Sequence, residues 1–160
     1  MKAFTLWQPW ATLVMIGAKP YEFRAWDYSQ RAMYRHLVDQ EIVMHAGARP
    51  VRPIEIHNLL HDCLEGGKHT GLIVEKAIPL LERIAAAAKC KGVVPLGVGL
   101  GTVRLGRPRN AGGIFGGLLP HDSDRGDFNY AWPCTDIKVW DEPRPMRGLQ
   151  GFWDWPGEIT

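Results

Sequence analysis

The run VVPLGVGLGTVRL, from Val93 to Leu105, narrows the fold more than any other stretch of the sequence. Its valines and aliphatic residues favour an extended chain, yet Gly97, Gly99 and Gly101 break it at short intervals. Glycine inside a strand weakens it and marks a bend, a bulge or the close approach of another segment, as at the corner of a barrel. The other strand signals are just as short: Lys2–Leu6, Tyr21–Trp26, Glu41–His45 after a turn at Asp39 and Gln40, Asp136–Trp140 and Gly148–Trp155.

Helical patterns fall in two places. Trp10–Ile16 is apolar almost all round, with Pro9 where a first turn tolerates it and Gly17 ready to end it, so it reads as a short buried helix. Pro53–Leu64 carries Ile54, Ile56, Leu59, Leu60 and Cys63 near one face and stops at Gly66 and Gly67. Leu72–Lys89 turns Ala77, Leu80, Leu81, Ile84 and Ala88 inward, with Pro79 marking a kink or a later start. Short curved strands with helices inserted at one place, about residues 53–91, predict an α+β fold around a small β-barrel. At 160 residues the chain fits one domain covering 1–160. The stretch Gly106–Asp127, with six glycines and two prolines, reads as a long loop of functional or interaction character.

With 46% apolar and 22% charged residues and no long apolar run, the composition is that of a soluble globular protein with no membrane partner. The N-terminus lacks the pattern of a signal peptide, and three isolated cysteines, Cys63, Cys90 and Cys134, predict reduced thiols and a cytoplasmic location. Net charge is only +2, but it is unevenly spread: six basic residues and no acid from Arg83 to His121, then eight acids against four bases from Asp122 onward. Such asymmetry suits a local positive surface for phosphates, or a solvated face that folding disperses.

The density of chemistry is greatest in WQPWATLVMIGAKPYEFRAW, residues 7–26. On an extended segment Glu22 and Arg24 point to one face and Tyr21 and Phe23 to the other. A surface ion pair is the bland reading. Against it stand Gln8, Trp10 and Trp26, because aromatic planes beside Lys19 and Arg24 suit a base stacked near a phosphate. A lysine desolvated by Trp7, Trp10 and Trp26 would have a depressed pKa, opposed by Glu22; Glu22 would then orient water while Lys19 or Arg24 stabilises negative charge.

Gly17-Ala18-Lys19-Pro20-Tyr21-Glu22-Phe23-Arg24 resembles the G-x-K-x-x-E-x-R signature of the ASCH domain, whose fold is a PUA-like β-barrel. Gln8-Pro9-Trp10 is similar to that family's Q-P-W before its first helix, Ile42–Ala46 to its second strand, and Gly148-Leu149-Gln150-Gly151-Phe152-Trp153 to its closing G-x-Q-G-x-W strand. The resemblance implies a PUA-like fold and a link to RNA binding, ribonuclease activity or, in small members, hydrolysis of the amide of acetylated cytidine. Those amidohydrolases carry a threonine where this chain has Glu22 and an acid on a later strand; here that strand reads GLGTVR, residues 99–104, without a carboxylate.

The remaining candidates are weaker. His45, where a strand ends, is a candidate proton donor or simply a hydrogen-bonded histidine. Arg49 and Arg52 are candidate phosphate contacts or plain surface charge. His57 and His61, four apart on a helix with Cys63 and His69 near, have zinc-compatible spacing, but Asn58 stands where H-E-x-x-H needs glutamate, and no metal is expected. Gly97-Val98-Gly99-Leu100-Gly101 opens onto a strand, so no dinucleotide cofactor is expected. Trp132 and Trp140 read as core or cleft wall. Taken together, the sequence predicts a cleft of Gln8, Trp10, Lys19, Glu22, Arg24, Trp26, His45, Arg49 and Arg52 that binds single-stranded RNA or a modified nucleoside. The alternatives are a hydrolase using Lys19, Glu22 and His45 on RNA or an acylated cytidine, or a protein-interaction module using the glycine-rich loop.

Overall fold

A computed structural model describes residues 1–114, 121–122, 126–127 and 129–157 of the chain. The elements run β1 (Lys2–Leu6), α1 (Trp10–Met15), β2 (Tyr21–Arg24), β3 (Gln40–Ala46), α2 (Pro53–Leu64), α3 (Val74–Ala86), β4 (Val98–Leu105), β5 (Arg109–Asn110), α4 (Ala111–Ile114), β6 (His121–Asp122), β7 (Gly126–Asp127), β8 (Tyr130–Pro145) and β9 (Phe152–Asp154). Three short 3-10 turns lie at Tyr28–Gln30, Arg35–Leu37 and Ala88–Cys90. The architecture is α+β, a curled sheet in the order β2-β8-β4-β3-β1-β9 with β5 also on β8. β1 and β3 are parallel and the other pairs antiparallel.

Two features curl the sheet. Its register slips between Met44 and His45 on β3, and twice along the β4–β8 pair, at Gly99/Gly101 and Thr102/Arg104; each such irregularity bends a strand and increases its twist. Gly101 sits at φ +154, and a Cβ there would lie 2.1 Å from the Lys138 carbonyl oxygen. A Cβ at Gly99 would strike the Trp155 and Trp140 rings. The glycine-broken run is therefore a strand whose bends admit another backbone at one point and two indoles at another.

Alternation distributes the side chains into separate cores. Phe4, Ile42 and Met44 face a main core with Tyr28, Trp132, Phe152 and α1, while Ala3 and Val43 face Trp153 and Trp155 on the other side. The helices α2 and α3 build a further core from Ile56, Leu59, Cys63, Ala77, Leu81 and Ile84, closed by Leu13 and Ala18. Trp10 packs against both the main core and this helical one.

Several boundaries differ from the sequence reading for identifiable reasons. Strand β2 stops at Arg24 because the chain bends there into the turn that Asp27 caps through Ser29 N at 2.8 Å. The last strands are redistributed: β8 takes 16 residues and β9 only three. Ile54 is 64% exposed, and Ala88 lies outside the helix on the surface; both stand off the buried face of their helices. Pro79 sits on the exposed side of α3 without ending it. Of the glycine-rich loop, residues 106–114 and the paired segments β6 and β7 are described, and the rest lies outside the described residues. No helix among the described residues is long and apolar enough to cross a membrane.

Gly101 supplies the first prediction. Gly101→Ala combines an unfavourable backbone angle with an overlap onto main chain, so it should destabilise the fold by about 3 kcal/mol or more. Urea unfolding of the two proteins measures this, and a loss below about 1 kcal/mol would contradict the close approach of β4 to β8.

Candidate functional site

Lys19, Glu22 and Arg24 are brought together by the way α1 ends. Gly17, at φ +70, lets the N–H groups of Ala18 and Lys19 both return to the Leu13 carbonyl at 2.9 Å, which closes the helix and turns the chain sharply toward β2. The strand then pairs Glu22 with Trp132 and Arg24 with Tyr130 on β8. Period-two alternation carries Glu22 and Arg24 to one side, where Arg24 Nε lies 2.9 Å from Glu22 Oε1. Lys19 precedes the strand, so alternation does not confine it; its Nζ reaches Glu22 Oε2 at 2.9 Å and donates to the Tyr21 carbonyl at 2.5 Å.

The result is a cation–anion–cation chain in apolar surroundings. The Lys19 ammonium lies 5.0 Å from the Phe23 ring centre and 5.8 Å from that of Trp10, and the Arg24 guanidinium lies 4.8 Å from Phe4 and 5.9 Å from Trp132. Side-chain exposure is 6% for Lys19, 10% for Glu22 and 24% for Arg24. Where the sequence predicts a cleft, Lys19 and Glu22 are nearly buried and Arg24 carries most of the triad's surface. Its Nε is buried and, although 2.9 Å from Glu22 Oε1, is not aligned for a hydrogen bond there, so charge holds this pair and the exposed surface belongs to the rest of the Arg24 side chain.

Burial pushes the Glu22 carboxyl up, but Lys19 and Arg24 together outweigh this by charge and hydrogen bonding and hold it below its ordinary value of 4.5. Cys134, beside them on β8, is the reverse case: burial pushes its thiol up to about 12, with the Lys19 charge offsetting only part of that. Glu22 is therefore a permanent anion at neutral pH and Cys134 a protonated, unreactive thiol.

The other candidates are distributed over the molecule. Gln8 is 1% exposed and fully engaged: its amide nitrogen donates to Thr12 Oγ1 at 2.8 Å and the Pro95 carbonyl at 2.9 Å, and its Oε1 accepts from Thr12 N at 3.1 Å. It caps α1 and ties that helix to the approach of β4. Trp26 meets the Trp132 ring edge-on at 4.9 Å and carries the Arg31 guanidinium at 4.3 Å, so it stands one ring away from Arg24.

His45 is completely buried; Met146 O lies 2.9 Å from Nε2 and Thr5 Oγ1 3.2 Å from Nδ1. Burial lowers its pKa below 6.5, the Met146 bond opposing, and its neighbours Thr5, Met146 and Trp153 do not belong to the triad. Arg49 forms two hydrogen bonds to Glu55 and lies 4.2 Å above Trp7, while Arg52 is exposed and 4.0 Å from Glu55. His57 and His61 are exposed on α2, whereas Cys63 faces the core.

Trp10, Lys19, Glu22 and Arg24 thus converge, with Trp26 adjacent; Gln8, His45, Arg49 and Arg52 do not join them. Phe4, Phe23, Trp132 and Cys134 complete the surroundings. Strand alternation puts Phe23 on the face opposite Glu22 and Arg24, and it joins the site only through Lys19, which precedes the strand; nothing local signals β8, which arrives by strand pairing, or Phe4, which the curl of the sheet brings in.

The triad makes stability pH-dependent. Because the folded Glu22 pKa lies below the ordinary 4.5, its contribution is full above that pH and is lost as pH falls through the folded value. His45, depressed below 6.5, adds an earlier loss: the unfolded chain takes up a proton near 6.5 that the folded one refuses. Urea unfolding across pH 7 to 3 should therefore show stability falling in two stages. Glu41, held below its ordinary value by Thr102 and Lys138, and Asp154, held below its own by Lys2, also contribute to the lower stage. Glu22→Gln should therefore shrink that stage and cost about 3 to 5 kcal/mol at neutral pH by stranding the Lys19 charge. A variant as stable as the parent would refute the ion chain.

No family model matches the chain, and no curated protein matches it; what the site does is read from its own residues.

Proposed function

We propose that the chain is a nucleic-acid-binding module of the ASCH, PUA-like kind, which takes an unpaired ribonucleotide of single-stranded RNA beside β2. Arg24 contacts the phosphate, and Lys19 and Glu22 hold Arg24 in place from beneath. The observation that carries this reading is the nearly buried ion chain of two cations and one anion, flanked by Trp10, Phe23, Phe4 and Trp132. It leaves one positive charge in excess, and that charge is most accessible at Arg24. Buried ion pairs seldom repay their desolvation against a well-packed apolar alternative, so stability alone is a poor reason to keep three charges here. A guanidinium set among aromatic rings suits a phosphate with its base.

Binding is better supported than hydrolysis. Each Glu22 oxygen faces a cation, which holds the carboxylate in its charged form and makes it a weak base. Both ring nitrogens of His45 have partners, away from the triad. The glycine-rich loop offers no comparable cluster among its described residues, which leaves protein interaction without a specific residue to carry it.

The test is the affinity of a labelled single-stranded oligoribonucleotide as a function of salt. Affinity should fall as salt rises, with a slope of about 0.7 per phosphate contacted. Arg24→Ala should weaken binding by about tenfold or more without any product appearing. The triple replacement Lys19→Met/Glu22→Leu/Arg24→Leu, which strands no charge, should fold with a stability within about 1 kcal/mol of the parent, or above it, and bind poorly. A flat salt response overturns the reading, as does turnover of RNA or N4-acetylcytidine that Glu22→Ala abolishes.

A further inference from the structure

Trp7 and Trp10 flank Gln8 but serve different surfaces. Trp10 faces Lys19, whereas Trp7 is 45% exposed and lies under the Arg49 guanidinium, 4.2 Å from it. Gly47 makes this possible, since a Cβ there would lie 3.2 Å from Trp7 Cδ1. A large indole held at the surface by a close-fitting glycine and a guanidinium is a fixed platform.

Beside it the chain forms a cavity of about 280 Å³ lined by Pro50, Val51, Cys90, Val94 and Leu96, with Lys91 also contributing. The cavity and the platform are neighbours through the chain. Pro50 follows Arg49 directly, Gly97 N donates to the Gly47 carbonyl at 3.3 Å, and the Gln8 amide donates to Pro95 O at 2.9 Å. The charge on this surface is positive. Glu55 is set against two arginines, Arg49 at 2.5 Å and Arg52 at 4.0 Å, and the exposed Lys91 adds a third cation at the cavity. An apolar hollow and an indole, edged by an excess of cations, match the alternating flat bases and phosphates of a nucleic-acid strand.

We infer that the surface of Trp7, Arg52, Lys91 and this cavity is a second contact for the same single strand, receiving the nucleotide next to the one held beside β2. The inference rests on the nucleic-acid reading above and adds the class of ligand, an oligonucleotide rather than a free nucleoside. Trp7 and Trp10 are three positions apart in the chain, so their Cα atoms are no more than about 11 Å apart. A strand contacting both needs to span only neighbouring nucleotides.

The experiment compares a fluorescein-labelled single-stranded decaribonucleotide, by anisotropy, with cytidine monophosphate, by calorimetry. Trp7→Ala should weaken the decamer by about tenfold and leave the monophosphate unchanged, because stacking of one base is lost. Arg52→Ala/Lys91→Ala, two exposed positions that spare the fold, should lower the salt slope by about 1.4, two phosphates at about 0.7 each. If the Arg52/Lys91 pair and Trp7→Ala both bind the decamer as the parent does while Arg24→Ala still weakens it, the second contact is refuted and the site beside β2 stands. If decamer binding depends on Trp7 but not on Arg24, the second contact stands and the site beside β2 falls. Absence of decamer binding refutes both.

Discussion

The carboxylate of Glu22, fixed between the Lys19 ammonium and the Arg24 guanidinium at 2.9 Å each, is the constraint around which the site is arranged. A nearly buried anion is tolerable only if its counter-charges arrive with little freedom. That requirement is met from two directions. The cap at Gly17 directs Lys19 under the start of β2, and pairing with β8 fixes Glu22 and Arg24 along the strand. Neither alone would suffice. A looser helix end would leave the ammonium to solvent, and an unpaired β2 would let the two strand residues rotate apart.

The same stretch joins the two main cores. Trp10 packs on both the sheet core and the helical one, and Ala18 O receives the N–H of Ile73 just before α3. The rings over Arg24, Phe4 and Trp132, both come from the sheet core, brought there from distant strands by the curl of the sheet, while Trp10 stands between that core and the helical one. Gln8 extends the tie to the approach of β4 through Pro95. The consequence is that the Trp7 surface and the triad are held in a fixed relation by a buried amide, not by a flexible linker.

How far this was legible in the sequence depends on the distance over which each feature is decided. The helix Pro53–Leu64 was readable at both ends, because proline at its first position and the Gly66-Gly67 pair are local signals that nothing distant overrides. The shared side of Glu22 and Arg24 follows from strand alternation. The full length of β8 did not show, since Pro133, Pro143 and Asp136 look like interruptions; Asp136 in fact sits at φ 48 inside the strand and lets the pairing continue past it. Arg49 could not be recognised as engaged, because its partner Glu55 comes from the first turn of α2 after the chain has turned a corner. His45 was still less readable, its carbonyl partner Met146 being 101 residues away. Gln8 drew notice through its company, but its three bonds make it a structural residue.

The protonation states argue for the kind of work the site performs. Proton transfer near neutral pH calls for a group whose pKa lies close to that pH. Here the two perturbed groups have been driven the opposite way, Glu22 below its ordinary range and Cys134 up to about 12. Both are thus fixed in one form throughout the neutral range. His45, near the end of β3, is buried and held neutral by desolvation, with a polar partner at each ring nitrogen. A site whose charges do not change with pH but lie beside aromatic faces is governed by ionic strength and by the shape of what stacks there. These fixed charges and aromatic faces support the proposed reading of a surface that positions a charged, planar ligand over one arranged to break a bond.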